Sequence, residues 1–149
     1  MRFRCSRAFG LSLVAAGVAV STVVAVATSQ TVRETYVPGA AHVSGTNNTT
    51  WRTDLELRSV GTIGARVRID LLRKNRDNTN PPSTMLDLPA GNARRVTDVL
   101  DRLFGYVGSA TLRITTLDGE VRVTSRTFNV APDGTFGQYI GGTDQNDIF

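Results

Sequence analysis

The sequence predicts an all-β fold, an antiparallel β-sandwich of about seven short strands with one short helix, preceded by a signal peptide. Apolar residues recur with a period of two through most of the chain from Thr31 onward, the pattern of strands that bury one face. Gly, Asn, Asp and Pro clusters punctuate those runs where the chain must turn. Ahead of them lies a basic, then strongly apolar, leader.

The leader has the three parts of a secretory signal. Arg2, Arg4 and Arg7 form its basic end, an apolar stretch runs from Ala8 to Ala27, and Ala25-Val26-Ala27 supplies a small-x-small cleavage site. Cleavage is expected after Ala27. Uncut, residues 8–27 are long enough to anchor the domain in a bilayer. Cys5 precedes the apolar run, so no lipoprotein acylation site follows it. The expected layout is a leader at 1–27, a sandwich domain at 28–141 and a flexible tail at 142–149. The expected location is secreted, periplasmic or cell-surface, or membrane-anchored by residues 8–27.

Charge and cysteine content narrow the function classes. The net charge of +4 and pI near 10 suggest a polyanion partner at first sight. Three of the 17 basic residues belong to the leader, which leaves 14 against 13 acidic residues. The basicity therefore belongs largely to targeting, and no nucleic-acid partner is expected. Cys5 is the only cysteine and leaves with the leader, so the mature domain has no disulfide, no thiol nucleophile and no thiolate metal site.

The strands follow in order. A weak one is expected at Thr31 to Val37. Trp51, Thr53, Leu55 and Leu57 alternate with Arg52, Asp54, Glu56 and Arg58, and Ala65, Val67, Ile69 and Leu71 alternate with Arg66, Arg68 and Asp70. The two glycines of Val60–Gly64 suit a tight reversal, which predicts that these two strands form an antiparallel hairpin. A further strand is expected at Thr84 to Leu88. Ala110, Leu112 and Ile114 lead through Asp118-Gly119 to Val121 and Val123, which predicts a second hairpin whose return strand continues from Arg126 to Val130. The last expected strand is Phe136 to Ile140. One segment has helical spacing instead: Val96, Val99, Leu100, Leu103 and Phe104, with Thr97 or Asp98 as the cap and Gly105 as the stop. Residues 41–50 and 75–83 read as exposed loops. Short antiparallel strands of this number give the sandwich an immunoglobulin-like character, without the disulfide of that fold.

Particular strings carry a resemblance. Val37-Pro38-Gly39-Ala40-Ala41-His42, Trp51-Arg52-Thr53-Asp54-Leu55, Asp77-Asn78-Thr79 before Pro81-Pro82, and Leu88-Pro89-Ala90-Gly91 leading into Val99-Leu100 are four of them. Val123-Thr124-Ser125-Arg126-Thr127-Phe128 and Gly134-Thr135-Phe136-Gly137-Gln138 complete the set. Together they resemble the uncharacterised immunoglobulin-like module of exported bacterial proteins, over roughly Tyr36 to Gly141. The resemblance implies fold and compartment and carries no activity. That module often occurs in tandem, whereas one copy is read here.

Candidate sites are few. His42, the only histidine, and Ser44 do not make a hydrolase without an orienting acid in a cleft, so no catalytic residue is assigned. Asp77, Asn78, Thr79 and Asn80 offer oxygen ligands of the kind calcium takes, but Arg73 and Arg76 oppose a cation and an Asx-turn accounts for the same residues. No metal and no cofactor is expected. Trp51, Tyr36, Tyr106 and Tyr139 are candidates for an aromatic platform against a sugar ring, although the phase of Trp51 points it inward. The arginine-rich strand faces at Arg52, Arg58, Arg66, Arg68, Arg113, Arg122 and Arg126 are interleaved with Asp54, Glu56, Asp70 and Glu120, which predicts cross-strand ion pairs.

The resulting expectation is a non-catalytic secreted or cell-surface module with adhesion, structural or protein-interaction roles. Its partner would be an extracellular protein or a polysaccharide. A carbohydrate-binding module is the first alternative. The second is a small outer-membrane β-barrel, whose strands also alternate, with few aromatics here to form its girdles.

Overall fold

A computed structural model describes residues 32–145. The leader expected at 1–27, with its cleavage site or anchor, lies outside the described residues, as do residues 146–149 of the expected tail. The described chain is mostly antiparallel sheet with one short helix, as the alternation predicts. The strands are β1 (Arg33–Ser44), β2 (Thr50–Ser59), β3 (Ala65–Arg73), β4 (Ser83–Leu88) and β5 (Ala93–Val96). The helix α1 (Val99–Phe104) follows, and then β6 (Gly108–Asp118), β7 (Val121–Ala131), β8 (Gly134–Gly141) and β9 (Thr143–Asp144). The strands beyond the expected seven are the short β5 and β9, of four and two residues, which local periodicity is too brief to reveal.

Strand β1 organises the sheet. Its length pairs with β6 from Arg33↔Thr116 to His42↔Gly108, while its end pairs with β2 from His42↔Arg52 to Ser44↔Thr50. The register slips between Val37 and Ala40. Pro38 occupies that slip, and having no N–H it cannot serve a ladder. The hydrogen-bonded order is β4-β3-β6-β1-β2-β7-β8, with β1 passing from β6 to β2 along its length. One half is β4-β3-β6-β1; the other is β2-β7-β8, with β5 beside the later part of β2. A single core holds Val67, Ile69, Leu71, Leu112 and Ile114 from the first half together with Leu55, Leu57, Val99 and Leu100 from the second. After β8, the Gly142 N–H donates to the Val123 carbonyl, and β9 then pairs with β1 at Thr35↔Asp144. Strand pairing thus continues into residues 143–144, the first part of the tail expected at 142–149.

Both expected hairpins are corrected. Strand β2 pairs with β1, β5 and β7 but not with β3, and β6 pairs with β1 and β3 but not with β7. The segments 60–64 and 119–120 instead carry the chain from one half to the other. Turn residues permit a sharp bend, but they do not say whether the flanking strands stay in one ladder. The two crossings lie against each other: the Val60 N–H donates to the Glu120 carbonyl at 3.0 Å. Gly119 has φ +71° and a Cβ there would come within 2.5 Å of the Gly64 carbonyl oxygen, so the turn glycine serves a close backbone approach. The tight hairpin lies elsewhere, between β7 and β8, where Ala131 pairs with Gly134 across Pro132-Asp133.

Two further boundaries move. Residues 41–44 of the expected loop belong to β1, because pairing with β2 continues to Ser44. The helix begins at Val99, since Val96 pairs with Leu55 at the end of β5. Asp98 precedes the helix in the left-handed region, φ +50°, and its side chain does not cap it. Gly105 ends the helix as expected, with φ +56°, its N–H donating to the Asp101 carbonyl while that of Tyr106 reaches Leu100.

Candidate functional site

The inner face of the second half is built row by row. Alternation places Leu57, Leu55, Thr53 and Trp51 along β2, and the register sets Val123, Ser125, Thr127 and Asn129 beside them on β7. Ile140, Gln138 and Phe136 on β8 complete the last three rows. At the Leu57 end this face is covered by the first half and is fully buried. At the Thr53 row, where Thr53 is still fully buried, residues of β1 lie against the face. A hydroxyl relay holds them in place: the Ala41 N–H donates to Thr53 Oγ1 at 2.7 Å, and Thr127 Oγ1 donates to the Gly39 carbonyl at 2.9 Å. With the Thr127 proton committed, Thr53 donates to Thr127 Oγ1, 2.9 Å away.

Beyond the relay the cover ends. Trp51 is 38% exposed and Phe136 65% exposed. With Gly39, Thr127, Gln138 and Ile140 they line an open recess of about 500 Å³ that has no charged side chain in its wall. Asn129 lies between the two aromatic residues in register, Trp51↔Asn129↔Phe136. Its Oδ1 is buried and has no hydrogen-bond partner among the described residues. Gly45 lies close against the indole and Thr49, where a Cβ would come within 2.5 Å of Thr49 Oγ1 and 3.3 Å of the Trp51 ring.

The other aromatic candidates are not brought to this recess. Tyr36 lies on the outer face of β1, paired with Arg113, and its hydroxyl donates to Glu34 at 2.7 Å. Burial, then the Glu34 carboxylate, raise its pKa above the ordinary phenol value. Tyr106 packs against the core after α1. Tyr139 is 74% exposed on the outer face of β8, opposite Arg126. The Arg126 guanidinium stands 4.6 Å from the Phe128 ring and 5.8 Å from the Tyr139 ring. Phe136 and Asn129 were missed at the sequence level, because their row with Trp51 exists only once the β7–β8 register is known. The Pro132-Asp133-Gly134 string is the signal that fixes that register.

The Asp77 loop is internally bonded. Asp77 Oδ1 accepts from the Thr79 hydroxyl at 2.6 Å and from the Thr79 N–H at 2.8 Å, and these bonds hold the carboxyl below its ordinary pKa. Asn78 accepts from the Arg73 N–H and donates to the Arg73 and Arg76 carbonyls. Among the described residues no cluster of three or more His, Cys, Asp or Glu side chains gathers for a metal.

His42 is likewise committed. Its Nδ1–H donates to both oxygens of the Asp98 carboxylate, at 2.8 and 2.9 Å, and Arg52 Nε lies 3.4 Å from the same group. The Asp98 N–H donates to Asp54 Oδ1 at 3.0 Å, and Arg95 holds the other Asp54 oxygen at 2.6 Å. This network ties β1 and β2 to the β5–α1 connection. In the first half the buried Asp70 accepts from Arg113 through two nitrogens, at 2.9 and 2.8 Å, which raises the Arg113 pKa. Arg66 pairs with Asp87 at 2.7 Å. Of the interleaved charges, Asp70 forms the expected cross-strand pair with Arg113 and also meets Arg68 of its own strand at 3.1 Å, whereas Asp54 pairs with Arg95 and Arg58 stands directly opposite Arg122.

No protein-family model matches this chain, and no curated protein matches it. Among solved structures it is similar to the crystal structure of Thermotoga maritima 1070, with a TM-score of 0.60 and 14% sequence identity. The similarity covers 76% of this chain and 95% of that one. At this identity the likeness concerns the fold alone.

Proposed function

We propose that the chain is an exported, non-catalytic module of immunoglobulin-like sandwich type, with an adhesion, structural or protein-interaction role. One observation carries the reading. The ionisable candidates are spent on internal bonds, His42 on Asp98 and Asp77 on Thr79, while exposed apolar surface gathers where Trp51 and Phe136 open to solvent. A surface of that kind suits contact better than turnover. The inward packing of Leu55, Leu57, Ile69, Leu112 and Ile114 also favours a packed domain over an outer-membrane barrel, which turns its apolar residues to lipid. Among the described residues no helix is long and apolar enough to cross a membrane.

Two measurements test the reading. The full chain, with its leader, is expressed in an exporting bacterial host, and the mature amino terminus is read by mass spectrometry; a start at Thr28 in a detergent-free extracytoplasmic fraction is expected. Retention on washed cell envelopes is then compared with that of Phe136→Ser. Cytoplasmic accumulation, or retention indifferent to that substitution, contradicts the reading. A second reading, carbohydrate binding, is favoured by the two exposed rings of Trp51 and Phe136 beside the Gln138 amide in an uncharged recess.

A further inference from the structure

We propose that β8 pairs with β8 of a second copy of this chain, antiparallel about Gln138, so that two sheets join into one across a twofold axis. Strand β8 ends the hydrogen-bonded order, with β7 on one side and no strand of the described residues on the other. Its free backbone groups can be identified. The Val60 N–H meets the Glu120 carbonyl, so the even residues of β7 turn their backbone groups to β2 and the odd ones to β8. The Gly142 N–H on the Val123 carbonyl has the same phase. In β8 the even residues therefore serve the ladder to β7, while Thr135, Gly137, Tyr139 and Gly141 point their N–H and C=O groups outward.

Edge strands ordinarily carry charge, proline or brevity that stops a second chain from adding to them. The other edges of this molecule have such guards. Strand β4 follows Pro81-Pro82 and bears Asp87, β5 has four residues with exposed Arg94 and Arg95, and β9 has only two residues. Strand β8 has none of these. Its eight residues include no charge and no proline, and Phe136 and Tyr139 project from its two faces 65% and 74% exposed.

Self-complementarity commits this edge to its own copy. Pairing about Gln138 sets Phe136 opposite Ile140, Gly137 opposite Tyr139 and Thr135 opposite Gly141 of the other copy, in both directions. Outward residues meet outward residues, so each free N–H faces a free C=O. On the inner face Phe136 gains an aliphatic neighbour and the two Gln138 amides meet on the axis. On the outer face Tyr139 lies over Gly137, where Phe128 leaves no room for a side chain. Pairing about Gly137 instead would set Phe136 opposite Gln138 and lose both matches. No charged residue opposes its like along the β8 pair, whereas β5 paired with its own copy would crowd arginine against arginine.

Sedimentation velocity tests the proposal on the full chain, purified in the form the exporting host yields, with Gln138→Lys, Gln138→Glu and an equimolar mixture of the two. The wild-type chain is expected to form a concentration-dependent dimer. Each variant sets like charges directly opposite and is expected to weaken the dimer about tenfold; the mixture, with Lys opposite Glu, is expected to recover it. Gln138 is exposed, and circular dichroism checks that the fold is kept. If either variant fails to fold, Gln138→Cys in a Cys5→Ser background decides. A non-hydrogen-bonded antiparallel pair lies within disulfide reach, so oxidation is expected to give a covalent dimer there and none for Met85→Cys, exposed on β4.

A monomer at every concentration overturns the proposal. So does a dimer that both charge variants leave intact, a mixture that recovers nothing, or cross-linking no better at position 138 than at 85. Pairing through β8 does not depend on export, so each of these results leaves the module reading to the envelope measurement alone.

Discussion

The two halves of the sheet share one alternation but not one fate. In the first half the inner residues of β3 and β6 are apolar and buried along their length, from Val67 to Leu71 and from Ala110 to Ile114. In the second half the same phase begins with Leu57 and Val123 and then turns polar, through Thr53, Ser125 and Thr127, before ending at the exposed Trp51 and Phe136. The difference lies in what covers each row. A period of two fixes which face a side chain occupies, whereas burial depends on what packs over that face.

The largest expected effect lies in the closed half. Leu112→Ala removes a fully buried side chain from the shared core and is expected to cost about 2–5 kcal/mol in urea denaturation. At the boundary, Thr53→Val leaves the Ala41 N–H without its acceptor while Thr127 keeps its bond to the Gly39 carbonyl, with an expected cost of about 1–3 kcal/mol. At the open end Trp51→Ala is expected to cost only about 1–2 kcal/mol, below the usual value for a buried tryptophan. Phe136→Ser, farther out, is expected to change stability by no more than about 0.5 kcal/mol. A cost for Trp51 equal to that for Leu112 would erase the distinction between the halves.

The strands themselves were legible because their alternation is a local property. The two alternating runs at Trp51–Leu57 and Ala65–Leu71 fall within β2 and β3, and Asp118-Gly119 does mark a reversal between β6 and β7. Their partners were not legible, because Gly64 and Gly119 look the same in a hairpin as in a crossing between halves. The candidate site was half visible. Trp51 stood out as the lone indole, but Asn129 and Phe136 join it only through the register of three strands, and Asp98 declared itself a helix cap while its carboxylate serves His42 and Arg52.

The most direct test of an open second half is acrylamide quenching of Trp51 in the native full-length chain, without ligand. Emission and quenching intermediate between those of a buried indole and those of the urea-unfolded chain are the predicted result, as for a ring 38% exposed. Blue-shifted emission that resists acrylamide until the chain unfolds would mean that the inner face is covered to its end, and the recess would not exist.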